Sequence, residues 1–210
     1  MAKTSAFDNN LNEYENWFIK NKFAYKSEIN AIKEIAEIPE NSIEIGIGSG
    51  LFAVPLGIKQ GIDPSQTMAN LGRKRGLDIK IGVAENLPWK DNSVDYALMV
   101  TSICFVDDVK RTLSEAYRII SDNGYLIIAF VDKNSSIGKE YIKTKNKSIF
   151  YNEAVFFGTD ELITLSQNAG FKITAIKQTI FGKITDINQI QDSKNGYGQG
   201  SFVVLKCQKK

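Results

Sequence analysis

The sequence contains no histidine and only two cysteines among its 210 residues. Without histidine, the chain lacks the commonest general base and the commonest metal ligand of proteins. The cysteines, Cys104 and Cys207, form no Cys-x-x-Cys pair, so neither a zinc cluster nor a disulfide framework is indicated. We therefore expect no metal and a protein of a reducing compartment.

Long apolar runs and an excess of one charge are also missing. No apolar stretch approaches the roughly 20 residues of a membrane span, and the first residues do not resemble a signal peptide. The 26 basic and 24 acidic residues are interspersed and leave a net charge of +2, which indicates no polyanionic partner such as nucleic acid. We expect one cytoplasmic domain over residues 1–210, with no membrane association.

The stretch 42–63, SIEIGIGSGLFAVPLGIKQGID, has the pattern of a strand, a glycine-rich turn, a short helix and a second strand. Gly46, Gly48 and Gly50 alternate in the turn, and the missing Cβ atoms let a ligand approach the backbone. Asp63 ends the second strand about 20 residues after the first, where such a unit places the carboxylate that binds a ribose. The stretch predicts a nucleoside-containing ligand.

The spacing of the glycines distinguishes between classes of nucleoside ligand. A dinucleotide fingerprint needs a small residue where this chain has Leu51, and no Gly-Lys-Ser/Thr follows to make a P-loop. With Glu44 included, the turn resembles the acid-x-Gly-x-Gly-x-Gly turn of class I S-adenosylmethionine-dependent methyltransferases. The alternative is a tight strand-to-helix turn that binds nothing.

A second block, residues 82–89 with sequence GVAENLPW, supports the same resemblance. It is similar to the Asp-Ala-Glu-x-Leu-Pro-Phe stretch that small-molecule methyltransferases carry between their third and fourth strands. The acid that usually meets the adenine amino group is replaced by Val83. The resemblance then leaves adenine recognition to the backbone of Ala84, to Glu85 or to packing against Met68. The alternative is that the Leu-Pro-Trp sequence only anchors a loop.

The resemblance also implies a fold. It predicts a Rossmann-like three-layer αβα sandwich with a seven-stranded, mostly parallel sheet whose last strand is antiparallel. The apolar run 94–106 is typical of a central strand that is covered on both faces. Residues 1–38 are expected to form an N-terminal helical cap over the cofactor site, with Ser27 as the N-cap of its second helix. A helix that only packs on the domain is the alternative for this segment.

The resemblance places two groups of residues around the ligands. Glu44 is expected to orient the methionine end of the cofactor and Asp63 to accept hydrogen bonds from its ribose. Cys104 is either a pocket residue, a thiol nucleophile or a buried apolar residue, and Tyr197 is either a pocket residue or a hairpin tip. The expected cofactor-binding residues are Tyr14, Trp17, Glu44, Gly46, Gly48, Gly50, Asp63, Pro64, Met68, Ala84, Glu85 and Thr101. The candidate substrate-pocket residues are Phe18, Cys104, Phe105 and Tyr197.

The activity that the resemblance implies is methyl transfer from S-adenosylmethionine to a small molecule by in-line displacement, with S-adenosylhomocysteine as product. The segment 101–108 lacks the Asn/Asp-Pro-Pro-Tyr/Phe sequence that holds a flipped base, which disfavours DNA or RNA bases as acceptors. No residue is indicated as the general base. A non-catalytic cofactor-binding sensor or partner subunit and an RNA-modifying methyltransferase are the alternatives.

Overall fold

The computed structural model describes residues 4–210 and shows α-helices on both sides of one β-sheet. The helices are α1 (Ser5–Asn9), α2 (Leu11–Lys20), α3 (Lys22–Ile35), α4 (Ala53–Leu56), α5 (Gln66–Lys74), α6 (Val109–Ile119), α7 (Ser136–Thr144) and α8 (Thr159–Asn168). The strands are β1 (Ser42–Ile45), β2 (Gln60–Asp63), β3 (Asp78–Ile81), β4 (Val94–Val100), β5 (Ile120–Val131), β6 (Lys172–Thr179), β7 (Lys194–Asn195) and β8 (Phe202–Gln208).

The sheet has the strand order β3-β2-β1-β4-β5-β8-β6-β7. The pairs among β1 to β5 are all parallel, whereas β8 runs antiparallel to both β5 and β6. This arrangement confirms the Rossmann-like sheet with an antiparallel last strand. The prediction of seven strands is wrong by one, because the two residues of β7 pair with the edge strand β6. A strand of two residues is too short to show the alternation of apolar and polar side chains from which strands are predicted.

The central strand β4 separates two apolar cores, one on each face of the sheet. Tyr96 and Leu98 point into the core that α3 and α4 cover, whereas Ala97 and Met99 point into the core that α6 and α8 cover. This alternation is the period of a strand that is buried on both faces. The strand ends at Val100 and does not continue to residue 106 as the apolar run predicted.

Thr101 is the reason that the central strand stops. Its φ is +51°, in the left-handed region that only glycine adopts without cost, and its N–H donates to Ala129 O on β5 at 2.8 Å. The chain therefore turns away from the sheet immediately after Val100. The following residues form turns above the end of the strand.

The N-terminal segment is helical, but its second long helix begins earlier than predicted. The helix α3 starts at Lys22, so Ser27 lies in its second turn and is not its N-cap. The Ser27 hydroxyl donates to Phe23 O at 2.7 Å, the bond to the preceding turn that serine makes inside helices. It also accepts from Gln191 N at 2.8 Å, which ties α3 to the segment before β7. No helix within residues 4–210 has the length and apolar character needed to cross a membrane.

The topology places a crevice between two neighbouring strands. The chain leaves β1 toward β2 on one side and leaves β4 toward β5 on the other side. In open α/β sheets, ligands bind where the connections diverge in this way, beyond the carboxyl ends of the strands. The glycine turn after β1 and Thr101 after β4 border this crevice.

Candidate functional site

A cleft of about 970 Å³, open to solvent on one side, lies over the carboxyl ends of β1, β2 and β4. It brings together most of the residues predicted to bind the cofactor. It does not include Trp17, Glu44 or Gly50. The predicted residues that line the cleft are Tyr14, Gly46, Gly48, Asp63, Pro64, Met68, Ala84, Glu85, Thr101 and Phe105.

The glycine turn exposes bare backbone at the floor of the cleft. Gly48 has a φ of +55°, and a Cβ added there would lie 3.2 Å from Met68 Cε and 3.9 Å from Tyr14 Oη. Gly46 has a φ of +76°, and its Cβ would lie 2.5 Å from the Cβ of Ser102. Gly50 serves the packing of the turn, because a Cβ there would meet the Leu77 side chain at 2.1 Å.

Asp63 ends β2 with its carboxylate fixed by backbone amides. Gly48 N donates to Oδ2 and Ser65 N donates to Oδ1, each at 2.8 Å. Burial raises the pKa of Asp63 to about 6, the two amides oppose that rise, and the charge of Asp8 adds to it. Each carboxylate oxygen has lone pairs beyond the one used, so both can accept from hydroxyl groups of a ligand.

Glu44 lies beneath the turn and does not line the cleft. Its side chain is buried, and its Oε2 atom has no hydrogen-bond partner among the described residues. Burial and the neighbouring Asp63 charge raise the pKa of Glu44 well above its ordinary value, against a lowering contribution from the Ala53 amide. The Glu44 carboxyl group therefore lies under the glycine turn with one oxygen that makes no hydrogen bond to the described residues.

Glu85 connects the loop after β3 to the start of α6. Its Oε1 accepts from Asp107 N at 2.7 Å and from Asp108 N at 3.0 Å. One carboxylate oxygen therefore holds the cleft wall together, a role that the sequence does not reveal. Beside it, Val83 and Met68 give the cleft an apolar side.

A second cavity of about 780 Å³ lies next to the cleft. Tyr14, Thr101 and Tyr151 line both cavities, so the two are neighbours across these side chains. Trp17 and Phe18 lie here and not in the cleft. We call this cavity the aromatic chamber, after the eight aromatic residues in its wall, Tyr14, Trp17, Phe18, Phe52, Tyr141, Phe150, Tyr151 and Phe202.

The remaining candidate residues lie elsewhere. Cys104 is buried, donates from Sγ to Thr101 O at 3.0 Å, and borders a small cavity of about 300 Å³. Tyr197 is 40% exposed on the loop after β7, and its hydroxyl donates to Asp160. The structure therefore does not bring Cys104 or Tyr197 into the cleft or the aromatic chamber.

Three polar contacts join α1 and α2 to the segments around the glycine turn and α5. Glu15 on α2 forms an ion pair with Arg75 and accepts from the Ser49 hydroxyl, while Arg75 Nη1 donates to Ser49 O at 2.8 Å. Asp8 on α1 accepts from the Ser65 hydroxyl. Sequence reasoning missed these contacts, since each one joins residues distant along the chain.

A family model and a solved structure that match this chain both describe methyltransferases. A model described as a methyltransferase domain matches residues 43–128. A solved Thermotoga maritima structure, whose description reads "SAM-dependent methyltransferase, possible histamine N-methyltransferase", is 50% identical with a TM-score of 0.94, and 98% of each chain is covered. An uncharacterized protein of Methanocaldococcus jannaschii is 39% identical over 98% of this chain and 99% of that protein.

A more distant relative is the ubiquinone/menaquinone biosynthesis C-methyltransferase of Rickettsia bellii. It is 26% identical over 66% of this chain, which spans 61% of that enzyme's length. The family model covers the same part of the chain that forms the glycine turn, Asp63 and the central strand. The chain belongs to the class I S-adenosylmethionine-dependent methyltransferases.

Proposed function

We propose that this protein transfers a methyl group from S-adenosylmethionine to a small-molecule acceptor by in-line displacement. The observation that carries the proposal is the pairing of two cavities across Tyr14, Thr101 and Tyr151. The cleft has the glycine turn and the carboxylate that a nucleoside requires, and the adjacent aromatic chamber is concave and lined mostly by apolar and aromatic side chains, as small-molecule sites are. The description of the Thermotoga maritima relative also names a small-molecule acceptor for that protein.

The residues of the cleft fit the cofactor chemically. Asp63 offers acceptor lone pairs to ribose hydroxyls, and the bare backbone at Gly48 leaves room that a Cβ would fill. Val83 and Met68 provide apolar surface for an adenine ring. The buried Glu44 Oε2 has no hydrogen-bond partner among residues 4–210, so a water below the turn could join it to the amino-acid end of the cofactor.

The protein's task in this reaction is alignment. When bound, S-adenosylmethionine supplies a methyl group on a sulfonium, which is an excellent leaving group and needs no metal or histidine. Alignment of acceptor and donor with exclusion of water can supply most of the rate enhancement. Tyr14 and Thr101 stand where the two cavities meet, so we assign them the positioning of the reacting groups.

We further propose that the N-terminal segment 1–38 caps the cofactor site. Residues 1–3 of this segment lie outside the part of the chain that the structure describes. Phe7 on α1 lines the cleft and meets the Phe105 ring edge-on at 5.1 Å between centroids. Tyr14 on α2 lines both cavities. The Glu15 contacts with Arg75 and Ser49 join this segment to the glycine turn, which supports a cap that closes over bound ligand.

Loosening the cap should weaken cofactor binding without unfolding the domain. We expect Arg75→Gln to lower the affinity for S-adenosylhomocysteine by about 3- to 10-fold, because it removes a partly exposed ion pair and a bond to the turn. Hydrogen exchange of the α2 amides should accelerate in the same variant. Arg73→Gln is the matched control, since Arg73 lies on α5 and contacts Asn70 and Ile79 instead of α2. Equal effects of the two substitutions would contradict the cap.

The alternatives differ in what they require of the cavities. An RNA substrate would need basic surface near the cleft, yet none of the residues that line the cleft or the aromatic chamber is lysine or arginine. This composition disfavours an RNA-modifying enzyme. A non-catalytic sensor would bind the cofactor in the same cleft but would turn over no acceptor.

Titration calorimetry followed by a turnover screen tests the proposal. We expect the protein to bind S-adenosylmethionine and S-adenosylhomocysteine, and to release S-adenosylhomocysteine with one of a panel of amines, phenols, thiols and carboxylates. Binding without turnover across the whole panel would favour the sensor. Failure to bind either form of the cofactor would reject the site. Nucleic acid that copurifies with the protein and is methylated would favour the RNA enzyme.

A further inference from the structure

Two acids, Glu13 and Glu28, line the aromatic chamber, and of these Glu28 is the buried one. Glu28 belongs to α3, is 7% exposed, and lines the aromatic chamber. No hydrogen bond or ion pair holds its carboxyl group within residues 4–210, so it has no structural partner there. Burial raises the pKa of Glu28 to about 8, with no opposing contribution from a neighbour. The carboxyl group therefore stays mostly protonated at neutral pH, and its ionised form becomes favourable only when a counter-ion reaches it.

The walls around Glu28 suit a positive charge. The faces of aromatic rings attract cations, and eight aromatic residues surround the space. None of the lining residues is basic, and the second acid, Glu13, stands at an exposed position. The Ser201 hydroxyl also lines the chamber and has no hydrogen-bond partner among the described residues. The chamber thus holds a buried carboxyl group that can ionise, but its lining supplies no cation.

The tyrosines near Glu28 stay uncharged at neutral pH. Burial raises the pKa of Tyr25 on α3 and of Tyr141 on α7 to about 12, and it raises the pKa of Tyr14 and Tyr151 further. A ligand must therefore supply the charge that pairs with Glu28. A protonated amine on an apolar body has this charge and this shape.

We propose that the aromatic chamber binds the methyl acceptor through a protonated amino group on an aromatic or aliphatic body, and that Glu28 is the counter-ion of this group. The ammonium anchors the acceptor, and a different atom that carries a lone pair receives the methyl group. The inference rests on the proposed function, because it names the acceptor class for the same paired cavities. Glu28 acts as a specificity determinant, and the aromatic walls cover the apolar body. A carboxylate- or phosphate-bearing acceptor would lose its hydration in a chamber whose lining holds no cation, and it is therefore disfavoured.

The test uses three probes of one shape and different charge. Titration calorimetry compares 2-phenylethylamine, 2-phenylethanol and 3-phenylpropanoate, each with and without saturating S-adenosylhomocysteine. We expect the amine to bind at least about 10-fold more tightly than the alcohol, and the acid to bind least. Titrations at pH 7 in buffers of different ionisation enthalpy should show that binding of the amine releases about one proton, as Glu28 ionises to pair with it.

Glu28→Gln should reduce the preference for amine over alcohol to within about threefold and abolish the proton release. Affinity for the alcohol and for S-adenosylhomocysteine should not change. Glu34→Gln, which removes an exposed carboxylate from the same helix, is the matched control and should keep the full preference. Equal binding of amine and alcohol by the wild type, or an unchanged preference in Glu28→Gln, would overturn the proposal. Amine preference without any binding of S-adenosylhomocysteine would uphold the amine site and reject the proposed function.

Discussion

Asp63→Ala is expected to weaken binding of S-adenosylhomocysteine by at least about 100-fold, because the ribose loses two charge-assisted hydrogen bonds. The carboxylate also accepts from Gly48 N and Ser65 N, so the variant relaxes the glycine turn as well. Both effects lower the affinity for S-adenosylhomocysteine. Titration calorimetry with the purified variant measures the loss.

Two further variants separate the charge from the structural role. Asp63→Asn keeps the size of the side chain and one carbonyl acceptor, so we expect it to bind more tightly than Asp63→Ala but less tightly than the wild type. Asp78→Ala removes an exposed carboxylate at the far end of β3 and should bind like the wild type. Wild-type affinity in Asp63→Ala would remove Asp63 from the site.

The same carboxylate should make cofactor affinity depend on pH. The pKa of Asp63 is raised to about 6 in the free protein, mainly by burial. Ribose hydroxyls donate to the ionised form, so binding favours deprotonation, and affinity should rise as pH increases through about 6. Below that pH the carboxyl group is protonated and affinity should fall. Asp63→Asn should bind with no such dependence, and a flat wild-type profile between pH 5 and pH 7 would contradict this role.

Gly46→Ala should strongly disturb the part of the glycine turn that lines the cleft. The added Cβ would be forced into a left-handed φ of +76° and within 2.5 Å of Ser102 Cβ. We expect the free energy of unfolding to fall by about 2–4 kcal/mol, as the sum of backbone strain and the clash. Affinity for S-adenosylhomocysteine should fall by at least about 10-fold, because the turn must shift to admit the methyl group. Urea unfolding and calorimetry measure the two changes.

Gly57→Ala is the matched control for this substitution. Gly57 has nearly the same φ, +77°, but a Cβ there meets nothing within 4 Å. It should therefore lose only the conformational part, about 1–2 kcal/mol, and bind the cofactor normally. If both alanine variants lost equal stability and neither lost affinity, the close approach of Gly46 to Ser102 would contribute neither to stability nor to cofactor binding.

The sequence predicts the cofactor half of the site because that half is local. The glycine turn and Asp63 lie within one strand-turn-helix-strand unit, and parallel strands necessarily bring their carboxyl ends to one edge. Their types and spacing suffice to place them together. The sequence also predicted that Trp17 binds the cofactor, whereas the structure places it in the lining of the aromatic chamber. The sequence shows which residues share a helix face, but it does not show which cavity that face covers.

The aromatic chamber could not be predicted, since its walls come from segments far apart in the chain. Glu28 and Glu34 illustrate the difficulty. Both are glutamates of α3, six positions apart among lysines and isoleucines, yet Glu28 is buried and Glu34 pairs with Lys177 at the surface. Only the packing of α2, α4, β6 and β8 around α3 distinguishes them. Local charge patterns carry no information about such burial.

Because the two cavities share a wall, we expect their occupancies to be thermodynamically linked. Tyr14, Thr101 and Tyr151 contact the space on both sides, so a ligand that orders them in one cavity leaves less conformational entropy to lose in the other. Coupling between two binding equilibria is reciprocal. The factor by which the donor strengthens acceptor binding must equal the factor by which the acceptor strengthens donor binding, and a cell rich in one ligand would thereby retain the other.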